Sequence, residues 1–170
     1  KPTGASDAAV SADGRFVAFS SKADNLVKDD TNSSCDVFIR DRNEKTTIRV
    51  SVATNGVEGD DDSALLSMSS DGRFILMCSY AKNLDPDSLD RRRGGCGLYL
   101  HDRQVSKTSW VSIPPERFRN DRADVEQGAM TDDGRLVSFA MRGVAVVVDT
   151  KRGSATELVA AQYVKAALIS

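Results

Sequence analysis

Ser11-Ala12-Asp13-Gly14-Arg15-Phe16-Val17-Ala18-Phe19-Ser20 is written three times in this chain. It returns as Ser69-Ser70-Asp71-Gly72-Arg73-Phe74-Ile75-Leu76-Met77-Cys78, and again as Thr131-Asp132-Asp133-Gly134-Arg135-Leu136-Val137-Ser138-Phe139-Ala140. Each copy predicts the end of one strand, a tight Asp-Gly turn and a second, almost wholly apolar strand. Asp-Gly signals a hairpin because these residues tolerate the positive φ that such turns require. A continuous apolar run, where a half-exposed strand would alternate, indicates a strand covered on both faces.

Outward from the first copy, Asp36–Asp41 predicts a third strand and the β-branched run Thr46–Val52 a fourth. The second unit keeps this order, with Leu98–Asp102 and Lys107–Ile113 as its third and fourth strands. The third unit is trimmed, to Val125–Thr131, Arg135–Met141, Val144–Asp149 and Ala155–Ala160. The Asp-Gly turns lie 58 residues apart (13 to 71) and then 62 apart (71 to 133). Four antiparallel strands at that period form the blade of a β-propeller. The expected fold is therefore all-β: about three four-stranded antiparallel blades in one segment, over about 5–52, 63–113 and 125–160. Lys165–Ser170 resembles Asp7–Ser11, so an extra C-terminal strand over about 164–170 would begin another blade. Three blades make an incomplete ring, since closure usually takes 4–8. The chain is expected to belong to a larger propeller, with a homodimer sharing six blades as the second reading.

The motifs Ser11–Ser21, Ala23-Asp24-Asn25-Leu26-Val27, Asp30-Thr31-Asn32 and Asp36–Asp41 resemble the TolB-like (WD-repeat-like) β-propeller repeat. The second unit keeps Ala81-Lys82-Asn83-Leu84 but departs from the pattern after it, and the third lacks that loop. The resemblance implies a propeller of about six blades and no single function, because members act as interaction scaffolds and as non-catalytic domains of hydrolases. It also implies an extracytoplasmic location, periplasmic or secreted.

Bulk composition narrows the roles. A net charge of −2 provides no basic field for nucleic acid, and no apolar run approaches a bilayer span, so neither nucleic-acid binding nor membrane insertion is expected. Aromatic residues make up 6 %, with Trp110 the single tryptophan, which disfavours a glycan- or ligand-binding propeller. No Ser or Cys lies in a nucleophile-elbow context, no Gly-rich phosphate loop is present and His101 is the single histidine, so no enzyme is expected here. The leading expectation is a non-enzymatic scaffold for protein–protein interaction, and the alternative is the propeller portion of a larger peptidase-type hydrolase.

Alternating strand direction puts the short turns at one end of each blade and the long loops at the other. Long, decorated loops on a rigid scaffold are the usual place for recognition. The loop end carries the acidic run Glu58, Asp60, Asp61 and Asp62, the basic run Arg91, Arg92 and Arg93, and the cluster Arg117, Phe118 and Arg119. These are the candidate partner-binding residues, set against the alternative that they are simply solvated. Asp30, Asn32, Ser34 and Asp36 place oxygens at alternate positions, as a calcium loop begins. Cys35 stands where such a loop wants Gly, and the competing reading is a loop that bonds its own backbone. No other cofactor is implied.

Cys78 ends a second strand and Cys96 precedes the third. Antiparallel pairing brings those ends together, so a disulfide closing the loop between them is a candidate; Cys35 faces Ser20 and would stay free. Asp41, Asp102 and Asp149 recur, as do Arg15, Arg73 and Arg135, and recurrence in every unit points to packing, not chemistry.

Overall fold

The computed structural model describes residues 7–86, 95–111, 125, 127–141 and 144–160. Its twelve strands are β1 (Ala8–Val10), β2 (Phe16–Ser21), β3 (Asp36–Asp41), β4 (Thr46–Arg49), β5 (Ser63–Met68), β6 (Phe74–Ser79), β7 (Gly97–Asp102), β8 (Lys107–Trp110), β9 (Gln127–Met130), β10 (Leu136–Met141), β11 (Val144–Asp149) and β12 (Ser154–Ala160). They form three four-stranded antiparallel sheets, each in simple sequential order. Each sheet is one blade, and three blades leave the ring open. The proposed strand at 164–170 lies outside the described residues.

Every Asp-Gly turn is built alike. Asp13 Oδ1 accepts from Ser11 Oγ (2.6 Å) and from the Arg15 amide (2.9 Å); Asp71 and Asp133 repeat this with Ser69 and Thr131. The arginine after the glycine then spans to the aspartate that ends the third strand. Arg15 Nη2 lies 2.7 Å from Asp41 Oδ2, Arg73 Nη2 2.7 Å from Asp102 Oδ2, and Arg135 Nη2 3.0 Å from Asp149 Oδ2. The other oxygen of the carboxylate collects the amides of the next turn, Asn43 and Glu44 in the first blade, Lys151 and Arg152 in the third. The Arg15 hydrogen bonds hold the Asp41 carboxyl down at about 2. The recurrent Arg and Asp are thus the two ends of one clip that fixes both short turns of a blade.

The core of each contact between blades is apolar. Phe16, Ala18, Val37 and Ile39 of blade 1 pack on Leu65, Ile75, Met77 and Tyr99 of blade 2. The opposite side of blade 2, with Leu76, Cys78 and Leu98, packs on Val137, Phe139, Val146 and Val148 of blade 3. Only the middle blade has its second strand covered on both faces: from Ile75 to Ser79 every residue is buried. In β2 the burial alternates, with Val17 and Phe19 half-buried, because no described blade lies beyond them. The two-sided burial expected of all three second strands holds for one.

The fourth strand of blade 1 also stops earlier than its β-branched sequence suggests, at Arg49. The Ser51 hydroxyl turns inward, accepts from the Val37 amide (3.1 Å) and donates to Asp36, taking over a partner that a strand carbonyl would serve. Val52 then bridges to Glu58 in the linker to blade 2.

Glycine is required at the turn for two reasons. Gly72 sits at φ +70°, and a Cβ built on it would lie 2.7 Å from Phe16 of the preceding blade. Gly134 at φ +64° stands in the same relation to Phe74, at 2.8 Å. Gly14 shares the φ of +70°, but among the described residues its Cβ position meets nothing nearer than Arg42 Nη1 at 3.6 Å. Gly14→Ala should therefore cost only the left-handed strain, about 1–2 kcal/mol, whereas Gly72→Ala should cost about 1–3 kcal/mol more through overpacking. Urea unfolding of the two variants checks this; equal losses would contradict the interlock.

Candidate functional site

The loop end of the molecule is organised by Arg49, the last residue of β4. Its guanidinium lies among three carboxylates: Nη1 is 2.7 Å from Glu58 Oε2, 3.1 Å from Asp30 Oδ1 and 3.3 Å from Asp36 Oδ2. Nη2 donates to the Asp29 carbonyl (3.1 Å). The arginine side chain is only 9 % exposed, so these charges meet largely out of water. Burial pushes the Asp36 carboxyl up from its ordinary value, against the lowering pull of Ser51, Asn32 and Arg49. Glu58 is shifted the other way, held down first by the Thr31 hydroxyl and then by the Thr31 amide and Arg49.

The residues considered for calcium surround this guanidinium. Asn32 Nδ2 donates to Asp36 Oδ2 (3.0 Å) and to the Gly59 carbonyl (2.8 Å), while its Oδ1 accepts from the Ser34 amide (2.8 Å). Ser34 Oγ turns back to the Asn32 carbonyl (3.4 Å). With Arg49 carrying the positive charge and the Asn32 oxygen bonded to backbone, the set does not form an open cage for a cation. No group of three or more His, Cys, Asp or Glu side chains placed to hold a metal occurs among the described residues.

The acidic run is similarly engaged. Asp60 accepts from the Lys82 amide (2.5 Å), and its own amide donates to Asn83 Oδ1 (3.1 Å). Asn83 Nδ2 donates to the Glu58 carbonyl (2.7 Å). Asp62 Oδ1 accepts from the Cys35 amide (2.8 Å), and Asp61 Oδ1 from the Asp62 amide (2.8 Å). The linker over residues 53–62 therefore ties the β2–β3 loop of blade 1 to the start of the β6–β7 loop of blade 2. The linker presents Thr54, Asn55, Gly56, Val57 (51 % exposed), Asp60 and Asp61 to solvent, and Lys82 is exposed as well. Arg91, Arg92, Arg93, Arg117, Phe118 and Arg119 lie outside the described residues.

Arg49 was not singled out by sequence reasoning. The repeat contained a signal: it aligns with Trp110, so a charge stands where the next blade has an aromatic residue.

Cys78 and Cys96 are joined, with Sγ atoms 2.00 Å and Cα atoms 5.6 Å apart, at the mouth of the β6–β7 loop. Cys35 is free and half-buried, and burial pushes its thiol up. His101, on β7, is 3 % exposed. Thr108 Oγ1 donates to the Val52 carbonyl, so it accepts from His101 Nδ1 at 2.9 Å, which assigns the proton of the neutral ring to Nδ1. Burial lowers the His101 pKa to about 4.

Burial of His101 and of Arg49 has two measurable consequences. Unfolded, His101 takes up a proton below about 6.5, whereas folded it does so only near 4. Stability should be complete above pH 6.5 and fall as pH drops toward 4, by about 3 kcal/mol. Urea midpoints against pH for the protein and for His101→Gln would show it, the variant losing that slope. Arg49→Met leaves three carboxylates facing one another and should cost about 3–5 kcal/mol at neutral pH, with partial recovery when Glu58→Gln is added.

No family model matches the chain, and no curated protein matches its sequence. Solved structures do. TolB from Acinetobacter baumannii matches with a TM-score of 0.54 at 15 % identity, over 89 % of this chain and 31 % of that one. A putative TolB from Agrobacterium tumefaciens gives 0.53 at 14 %, over 87 % and 46 %. Dipeptidyl peptidase 4 from Porphyromonas gingivalis gives 0.54 at 18 %, over 89 % and 25 %. The chain thus spans less than half the length of each. The likeness shows the fold alone, that of a β-propeller.

Proposed function

We propose that this chain is a non-enzymatic propeller scaffold that binds a protein partner through its loop end, as part of a larger propeller or assembly outside the cytoplasm. The observation that carries the reading is the cross-tying of the β2–β3 loop, the 53–62 linker and the start of the β6–β7 loop through Arg49, Glu58, Asp60 and Asn83. Loops already ordered by folding need less ordering on binding, which favours affinity. The exposed tip mixes apolar Val57 with charges of both signs, a composition suited to a protein surface. A non-enzymatic role is supported by His101, the one histidine, being buried, neutral and bonded to Thr108. The extracytoplasmic placement is supported by the Cys78–Cys96 bond, since such bonds persist in oxidising compartments.

A second reading is the propeller portion of a larger peptidase. It is supported by the match to dipeptidyl peptidase 4, of which this chain covers 25 %.

The test compares three baits in an extract of the protein's own cells: the protein, a loop-end variant (Val57→Asp, Asp61→Lys, Lys82→Glu), and a turn-end control (Glu44→Lys, Gln104→Lys). The expected outcome is one partner retained by the protein and the control but bound at least about tenfold more weakly by the loop-end variant, a loss of about 1.4 kcal/mol. Equal retention by all three would remove the loop end from consideration.

A further inference from the structure

Both blade interfaces repeat one contact. Between blades 1 and 2, Phe16 rests on the Gly72 backbone, Arg103 Nε donates to the Gly72 carbonyl (2.9 Å), and the Arg103 guanidinium covers the Phe16 ring at 3.9 Å. The Ala12 amide donates to the Ser70 carbonyl across the same junction (2.7 Å). Between blades 2 and 3, Phe74 rests on Gly134, Thr150 Oγ1 donates to the Gly134 carbonyl (2.9 Å), and the Ser70 amide donates to Asp132 Oδ1 (2.7 Å). In each case an aromatic ring fills a notch made by a left-handed glycine and the residue that follows the third-strand aspartate.

Blade 1 carries the same notch on its other side. Gly14 has the same φ of +70°, and Arg42 Nη1 donates to the Gly14 carbonyl at 2.8 Å, as Arg103 does to Gly72. No described ring lies against it, and Arg42 is exposed. On this side lie also Val17 and Phe19, the positions equivalent to Ile75 and Met77, which are fully buried in blade 2.

Resting on the reading of this chain as part of a larger propeller, we propose that the Gly14–Arg42 notch, with Val17 and Phe19 beside it, is the seat of a further blade whose second strand begins with an aromatic residue. This blade supplies the ring that Arg42 covers. Continuity with the two established interfaces argues for it, since both seat a phenylalanine. A second copy of this chain is the poorer occupant, because its trailing blade offers Leu136, which is 39 % exposed and has no ring for a guanidinium to cover.

The test uses two complete chains joined head to tail by a flexible linker. Leu136→Phe in the leading copy should raise the melting midpoint by about 3 °C or more over the unsubstituted tandem. That gain should disappear when the trailing copy carries Gly14→Val, and shrink by about half with Arg42→Ala, which leaves the turn backbone unstrained. In the single chain Leu136→Phe should bring no gain. The proposal is overturned if the tandem gains nothing, if the gain survives Gly14→Val, or if the single chain sediments as a dimer that Gly14→Val dissolves. The last result would make the second copy the occupant.

Discussion

The structure depends on an aromatic side chain lying against a backbone that has no Cβ. Phe16 against Gly72 and Phe74 against Gly134 set how closely one blade approaches the next, because any side chain at the glycine would intrude into the ring. The same glycine has a second duty, turning the hairpin at positive φ, so one residue couples the inside of a blade to its neighbour. The arginine that follows reaches back to the third-strand aspartate, and that aspartate orders the turn into the fourth strand. A motif of about six residues thereby specifies hairpin, strand register and blade spacing together.

This economy explains why the fold was legible in the sequence. The three copies of the Asp-Gly-Arg motif, their spacing and the apolar run after each sufficed for blades, strand order and an open ring. The clip between Arg15 and Asp41 was visible as two separate recurrences, and only the structure joined them. Strand ends were less legible: Thr46–Val52 is rich in β-branched residues to its last position, yet pairing yields at Ser51, whose hydroxyl competes for the strand's own partners. The continuous apolar run of β2 points to two-sided burial, but burial also needs a neighbour on each side, and β2 has a described one on only one.

The loop end was hardest to read, for an electrostatic reason. Asp30, Asp36 and Glu58 appear in the sequence as two unrelated acidic clusters, one suggesting a cation and the other a partner. In the fold they converge on Arg49, a residue from a strand, and most of their charge is answered internally. Local sequence shows how many acids a loop carries; it does not show which distant base will reach them. The acidic run thus fixes the path of the linker between blades, and recognition is left to the tips it holds in place.

The Cys78–Cys96 bond has a consequence for how such a protein could diversify. It lies where β6 and β7 meet, next to the paired residues Ser79 and Gly97, so it closes the blade before the intervening loop begins. Lengthening a loop whose ends are pinned costs little, about 0.6 kcal/mol for each doubling, and leaves the register of both strands untouched. The disulfide thus acts as a grafting collar: sequence inserted above it can change freely while the blade below keeps its shape.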